Sequence, residues 1–380
     1  MLFQNAIIRL SFPIILLLTI SSCSEEENPA PIYEFVEYEE LTSGYSIPWA
    51  VEVIGETEFL FTDRMGSLHH YKSGKSVEVE NIPLSLTITA DNLVFGGLMD
   101  VSLHPDFENN KLVYIAYVGS DYNLAVARFQ LEDGVANAMR VLFKSNGFSI
   151  GSRIAWQDEQ HFFLSIGIGG SPYPEPGPQN INDDRGKIHR LLDDGRIPDD
   201  NPVFPGQSGP STIWSLGHRN PQGLYFDQEE NVLYANEHGP LGGDELNIIE
   251  KGGNYGWPLF SHGRNYDQTL VTNATQAEAS EFSILPMHAW GPDFRVAPSG
   301  LLKLKNTNFA NWNGSFIMGA MLPENLLLFN PDTKLTQIVM KDVGRVRDIE
   351  ALPSGDLIIL IDQNSPDTRV SGRIVKLSPK

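Results

Sequence analysis

The apolar residues of this chain come in short runs that stop at Gly, Pro, Asn or Asp. From about Tyr33 to Leu377 no stretch keeps the i, i+3, i+4 spacing of a long amphipathic helix, so the body reads as strands and turns. The runs form a loose repeat: an apolar strand, a loop, then a second strand of alternating character, often with Gly ahead of it. "FLFTDRMGSLHHYKSG" from Phe59, "FFLSIGIGG" from Phe162 rejoined by "RGKIHRLLDDG", and "DLIILIDQ" from Asp356 rejoined by "SGRIVKLSP" are the clearest copies. "KLVYIAYVGSDYNLAVARFQLEDG", "VLYANEHGPLGGDELNIIEKGG" and "SFIMGAMLPENLLLFNPDT" complete a set of six units. Units of this size cannot bury a core alone, so they predict an all-β fold, a six-bladed β-propeller. A pair of β-sandwiches would leave the repeated strand–loop–Gly–strand pattern unexplained.

In a propeller, ligand sites lie in the loops around one end of the central channel. The loops between the paired strands here are Asp63-Arg64, Gly167 to Arg185, Asn236 to Glu245, Met321 to Glu324 and Asp362 to Arg369.

The N-terminus does not share the pattern. Arg9 precedes the apolar run "FPIILLLTI", too short for a membrane-spanning helix and suited to the core of a signal peptide. "ISSC" resembles a bacterial lipobox, which predicts cleavage and lipidation at Cys23, the only cysteine of the chain. Residues 1–23 are thus read as a lipoprotein signal, 24–40 as a polar tether and 41–380 as the propeller. The expected location is the periplasm or outer membrane and cell surface, with the lipid at Cys23 as the membrane contact. A single cysteine excludes internal disulfides and a cysteine zinc site in the body. The net charge of −21 argues against a nucleic-acid partner, whose phosphates this surface would repel.

The loop "NEHGPLGGDE", Asn236 to Glu245, joins flexible backbone to hard oxygen donors. Asp244 and Glu245, with Glu237, are carboxylates, and Gly239 and Pro240 can turn carbonyl groups inward, a mixture that suits Ca²⁺. A charged surface turn is the other reading. Upstream, "SLGHRNPQGLYFD" sets Arg219 and Asn220 between two strands, suited to an anionic or carbonyl-rich ligand. In "VGRVRDIE", Arg345 and Arg347 stand at strand period and face the same way, so an anion or carboxylates such as Asp348 or Glu350 must lie between them. The sequence holds no H-E-x-x-H, no G-x-S-x-G, and no helix after "GIGG" to make a phosphate loop.

Together these segments resemble the soluble quinoprotein glucose/sorbosone (aldose sugar) dehydrogenases. "GGLMDVSLHPDF", "RGKIHRLLDDGRIPDDNPVF", "IWSLGHRNPQGLYFD", "NEHGPLGGDELNIIEKGGNYGWPL", "APSGL" and "RVRDIEALPSGDLIILID" carry the resemblance, in order, over nearly the whole body. It implies a six-bladed propeller using pyrroloquinoline quinone (PQQ) and Ca²⁺ to oxidise a sugar hydroxyl, with hydride transfer to the quinone. It further implies that Arg219 and Asn220 contact the quinone, that Arg345 and Arg347 hold its carboxylates, that the carbonyls of Gly239 and Pro240 face a Ca²⁺, and that Glu245 and Tyr255 help bind calcium.

The resemblance breaks at five positions. The family's histidine base falls on Ser149, in "SIGSRIAW", and serine is no general base near neutral pH. A family glutamine falls on Phe95, an acidic residue on Ile168, and basic residues on Leu241 and Leu322. The expectation is a quinoprotein dehydrogenase with altered or lost activity and no intact catalytic residue. The alternative is a non-catalytic surface propeller that binds a saccharide or other ligand. Lactone hydrolysis, with His238 or Asp244 as base beside Ca²⁺, is a third reading.

Overall fold

A computed structural model describes residues 36–90, 93–168, 177–362 and 371–380. Cys23 and the signal segment lie outside the described residues. Among the described residues there are six four-stranded antiparallel sheets and one extra two-stranded hairpin, Thr87–Ala90 with Leu93–Gly96. The sheets are the blades of a β-propeller.

The innermost strand of each blade lines the central channel. In chain order these are Pro48–Gly55, Leu98–Leu103, Ile154–Trp156, Pro221–Asp227, Pro298–Lys303 and Arg345–Ala351. The six repeat units fall on the second and third strands of the six blades. Glu58–Asp63 with Ser67–Lys72 is the first such pair and Leu357–Asp362 with Gly372–Pro379 the last. Second strands such as Leu112–Val118, Phe316–Ala320 and Leu357–Asp362 are buried along almost their whole length. Blades packed face to face bury both sides of these strands, which is why they read as continuous apolar runs. Outer strands such as Lys75–Glu78 and Thr336–Met340 face solvent and carry little apolar signal.

The ring closes through Val36–Tyr45, which pairs antiparallel with Gly372–Pro379 and completes the sixth blade. The fold therefore takes in Val36–Glu40, which sequence reading gave to the tether. That strand is an exposed edge, "VEYEELTSGY", so it carries acidic residues where a buried strand would be apolar. Two of them meet lysines of its neighbour's end, Glu39 with Lys376 at 2.9 Å and Glu37 with Lys380 at 3.5 Å.

A β-bulge interrupts pairing near the start of five of the six inner strands, between Pro48 and Val51, Leu98 and Asp100, Pro221 and Gly223, Pro298 and Leu301, and Val346 and Asp348. A bulge inserts an unpaired residue and turns the next side chains. Here Met99, Gln222 and Arg347 are such residues.

Below the bulges a single cation ties the blades together. Arg153 Nη1 bonds Asp100 at 3.0 Å and Asp348 at 2.9 Å, its Nε donates to the carbonyl of Gln222, and Nη2 donates to the carbonyls of Arg347 and Trp49. One buried guanidinium on the third blade thus joins the first, second, fourth and sixth. Buried charges survive only when paired and hydrogen-bonded in this way.

Candidate functional site

The loops joining second to third strands, and the connections leading into each inner strand, open on one face of the ring. Arg219 and Asn220 come from the connection into Pro221–Asp227, and Gly239 and Pro240 from the hairpin after Val232–Glu237. The two loops meet. Arg219 Nη1 donates to the carbonyl of Gly239 at 2.6 Å and of His238 at 3.1 Å. Asn220 accepts from Gln222 Nε2 at 2.9 Å and packs against Gly167, where a Cβ would come within 2.1 Å of its Oδ1.

A buried histidine–carboxylate pair fixes this junction. Glu237 accepts from the Arg219 backbone N–H at 2.6 Å, from His218 Nδ1 at 3.0 Å and from Asn247 Nδ2 at 3.0 Å. The other ring nitrogen of His218 meets Ser215 Oγ at 2.9 Å, and its ring stacks on Tyr255 at 4.5 Å. Ser215 and His218 are fully buried. The Ser–His–Glu chain is therefore closed to substrate, and it works by holding the Arg219 loop on the Gly239 loop.

The acidic loop divides its carboxylates between tasks. Asp244 Oδ1 accepts from Gly239 N–H at 3.0 Å, and Oδ2 from Val296 and Ala297 N–H at 2.8 and 2.9 Å. It clamps the hairpin to the connection into Pro298–Lys303, where Ala297 stands at φ +47°. Tyr255 donates its hydroxyl to Ile248 O at 2.5 Å and accepts from Glu250 N–H at 2.8 Å. Glu245 is different. It lies directly across the strand pair from Glu237, and Asn247 Nδ2 reaches it only at 3.3 Å. Burial, then the charge of Glu237, pushes its carboxyl well above the usual range. Among the described residues no three His, Cys, Asp or Glu side chains converge in the manner of a metal-ligand set. The resemblance assigns to Ca²⁺ the Glu245 carboxylate and the Gly239 and Pro240 carbonyls, and the Gly239 carbonyl already accepts from Arg219. Gly242 and Gly243, at φ +66° and +67°, give the hairpin its tight turn, and a Cβ on Gly243 would strike Gly263 N at 2.2 Å.

At the sixth blade, Arg347 gives Nε and Nη2 to one oxygen of Asp362, both at 2.6 Å, and Nη1 to Met321 Sδ. The partner of Arg347 is thus Asp362 across the hairpin. Asp348, one of the partners expected from sequence, turns at the bulge to Arg153. Among the described residues, Asp362 Oδ1 and Arg345 Nε are buried without hydrogen-bond partners. Burial and the neighbouring Arg347 hold the Arg345 guanidinium below its ordinary range. His238 links the two halves of the site. Burial first, then the charges of Arg219 and Arg347, hold its imidazole below the ordinary range against the pull of Asp244. Its Nε2 is 2.7 Å from the carbonyl of Pro298, which makes Nε2 the protonated nitrogen, and Nδ1 faces Asn220 Nδ2 at 3.4 Å.

Ser149 has no exposed surface, and its hydroxyl donates to Gly151 O at 2.6 Å, closing the turn into the third blade. Ile168 is 9% exposed and donates its N–H to the carbonyl of Arg219 at 2.9 Å. Leu241 pairs by backbone with Arg264, Leu322 is exposed, and Phe95 pairs with Ile88 in the extra hairpin. Residues 169–176 and 363–370, parts of two loops expected on this face, lie outside the described residues. Sequence reading missed the clamp of Glu237 on His218 and the role of Arg153. The adjacency of "GHRN" and "NEHGP" to strand ends was the available signal for the first.

The family model for Glucose / Sorbosone dehydrogenase matches residues 45–370. The aldose sugar dehydrogenase YliI of Escherichia coli is 32% identical over 361 residues, covering 91% of this chain and 93% of that protein. The crystal structure of the soluble aldose sugar dehydrogenase from Escherichia coli, in the apo-form, superposes with a TM-score of 0.79 at 30% identity, covering 91% of this chain and all of that one. The PQQ-bound aldose sugar dehydrogenase from Streptomyces coelicolor shares the fold, with a TM-score of 0.69 at 22% identity, over 91% of this chain and 99% of that one. With the family model spanning most of the chain and the propeller fold in agreement, this chain belongs to the glucose/sorbosone dehydrogenase family.

Proposed function

We propose that the channel mouth binds PQQ with Ca²⁺ and that the protein oxidises a hydroxyl of a sugar. The observation that carries this reading is the arginine pair of half-buried Arg345 and buried Arg347. It faces one fully buried carboxylate, Asp362, and Arg345 Nε lacks a partner. Uncompensated buried guanidinium fits a ligand bearing carboxylates. When bound, the quinone supplies a hydride acceptor and Ca²⁺ a Lewis acid. Arg345 and Arg347 hold the carboxylate end. Arg219, fixed by the Glu237 clamp, and Asn220 present donors across the mouth. Glu245 and the Gly239 and Pro240 carbonyls are the cation's donors. Asp244 and Tyr255 shape the loop that presents them. His238 is the neutral imidazole that the site offers to a leaving proton, at Nδ1.

A second reading, a saccharide-binding propeller without turnover, is favoured by Ser149, whose buried, internally bonded hydroxyl reaches no substrate. Reconstitution with PQQ and Ca²⁺ separates the two. Dehydrogenase function predicts a change in quinone absorbance on adding an aldose and turnover with an artificial electron acceptor. Saccharide binding by calorimetry with neither signal selects the second reading.

We infer export and lipid anchoring from "ISSC". Metabolic palmitate labelling that Cys23→Ala abolishes is the expected result; labelling that persists removes the anchor.

A further inference from the structure

Trp49, at the start of the first inner strand, is buried, and its Nε1–H has no hydrogen-bond partner. Two guanidinium groups share its indole. The central carbon of Arg64 lies 4.0 Å from the ring centroid and that of Arg347 lies 4.8 Å from it. Arg64 leaves the turn after the second strand of the first blade, and its guanidinium is 5% exposed as a residue. Its Nε donates to Gly96 O at 2.7 Å and Nη2 to Ile150 O at 2.9 Å, so two nitrogens staple the connections into the second and third blades. Among the described residues no carboxylate bonds it. Asp63 beside it spends its oxygens on the backbone N–H groups of Ser46, Ile47 and Met65. Asp362, the nearest acid in its field, is already bound by Arg347. Burial and the neighbouring Arg347 push the Arg64 guanidinium down to about 9.

Arg64 and Arg347 therefore meet over Trp49, and Arg345 stands beside Arg347. They share the buried carboxylate of Asp362 and, beside Arg345, the charge of Glu324. Aromatic faces stabilise cations, but an indole with two guanidinium groups against it carries no negative charge to neutralise them. The cluster is incomplete without an anion.

We propose that Arg64 is a third arm of the anion site, joining Arg347 across Trp49, and Arg345 beside it, on a ligand that bears two or more carboxylates. This rests on the reading of Arg345 and Arg347 given above, and adds a residue and an optical reporter to it. The carbonyl contacts of Arg64 fix the fork beside the indole. Among the described residues, the acid its charge feels is Asp362, which Arg347 already holds.

The test is equilibrium binding of two probes, PQQ and benzene-1,3,5-tricarboxylate, followed by calorimetry and by indole fluorescence. Wild type, Arg64→Lys, Arg64→Met and Trp49→Phe are compared, and the folded state of each is checked by circular dichroism. The expected result is that both probes bind wild type and change its fluorescence. Arg64→Lys should weaken both about 10- to 100-fold, as loss of a charged fork does. Trp49→Phe should remove most of the fluorescence change. If Arg64→Met fails to fold, Arg64→Lys alone decides. Affinity within twofold of wild type in Arg64→Lys overturns the proposal and leaves Arg345 and Arg347 as the site. No binding of either probe to wild type overturns both.

Discussion

Two residues show how the same functional group does different work in different surroundings. Glu237 uses both oxygens inside the fold, on Arg219 N–H, His218 and Asn247. Glu237→Gln replaces one acceptor by an NH₂ group facing donors, which should cost roughly 1–3 kcal/mol. Urea unfolding should show this loss, and PQQ affinity should fall further than stability alone explains, because Arg219 loses its clamp. Ser149, by contrast, closes a turn. Ser149→Ala removes two buried hydrogen bonds, to Gly151 O and from Gly151 N–H, which should cost about 1–2 kcal/mol by chemical denaturation. Any turnover of the reconstituted protein should stay within about twofold, whereas removal of a general base typically costs about two to four orders of magnitude. A loss of that larger size would return Ser149 to the chemistry.

The strand-end loops and their bulges are the elements that shape the mouth. Asp244 joins the fourth blade's hairpin to the connection entering the fifth, and it does so through three backbone N–H groups. Asp244→Asn keeps the size and turns an amide NH₂ toward one of those donors. A loss of about 1–3 kcal/mol is expected by thermal or urea unfolding. Calcium binding, measured by calorimetry, should then weaken through misplacement of the Gly239 carbonyl. The bulge at Arg347 separates the partners of Arg347 and Asp348, while Arg345 and Arg347 both lie by Asp362. Without the bulge, Arg347 and Asp348 would simply alternate; with it, Arg347 reaches Asp362 while Asp348 reaches Arg153. The closing strand Val36–Tyr45 covers the edge of Gly372–Pro379. Its ion pairs with lysines are exposed and add little, so its contribution lies in the backbone ladder and in Leu41 and Tyr45 packed against the sixth and first blades.

The whole ring is held by a channel whose charges come from many blades. Arg153 meets Asp100 and Asp348, and Glu52 and Glu350 stand on the same inner strands, enclosed by the channel with part of their surface open to its lumen. Burial, then the negative charge of Asp348, pushes Glu350 up to about 8, against the pull of Arg153. Burial pushes Asp100 up to about 6, and burial with the charge of Glu350 and Asp100 raises Glu52 well above its ordinary value. A carboxyl whose folded value is raised binds its proton more tightly in the folded state. Its stabilisation is complete below the unfolded value and is lost as pH rises through the folded one. Melting should therefore occur at lower temperature at about pH 8.5 than at about pH 5.5, and Glu350→Gln should flatten the upper part of that slope. A melting temperature that rises with pH across this window would contradict the channel electrostatics.

The fold class was legible because the middle strands of the blades, buried on both faces, print continuous apolar runs into the chain. The repeat of those runs was enough for six blades. The outer strands and the closing strand Val36–Tyr45 were not legible, since an exposed edge needs no apolar pattern. In the site, sequence alone determined which residue types stand in the loops: Arg219 and Asn220, the Gly239 to Glu245 hairpin, the arginines at 345 and 347, and serine at 149. Tertiary structure decided what each of them touches. Asp244 went to backbone amides, Glu237 to His218, and Arg347 to Asp362. Trp49 and Arg64 of the first blade met Arg347 of the sixth across the ring's closure. A side chain's chemistry is local, but its protonation, its partner and its freedom to bind depend on groups that the chain delivers from distant positions. Only the closed ring brings those groups to one place.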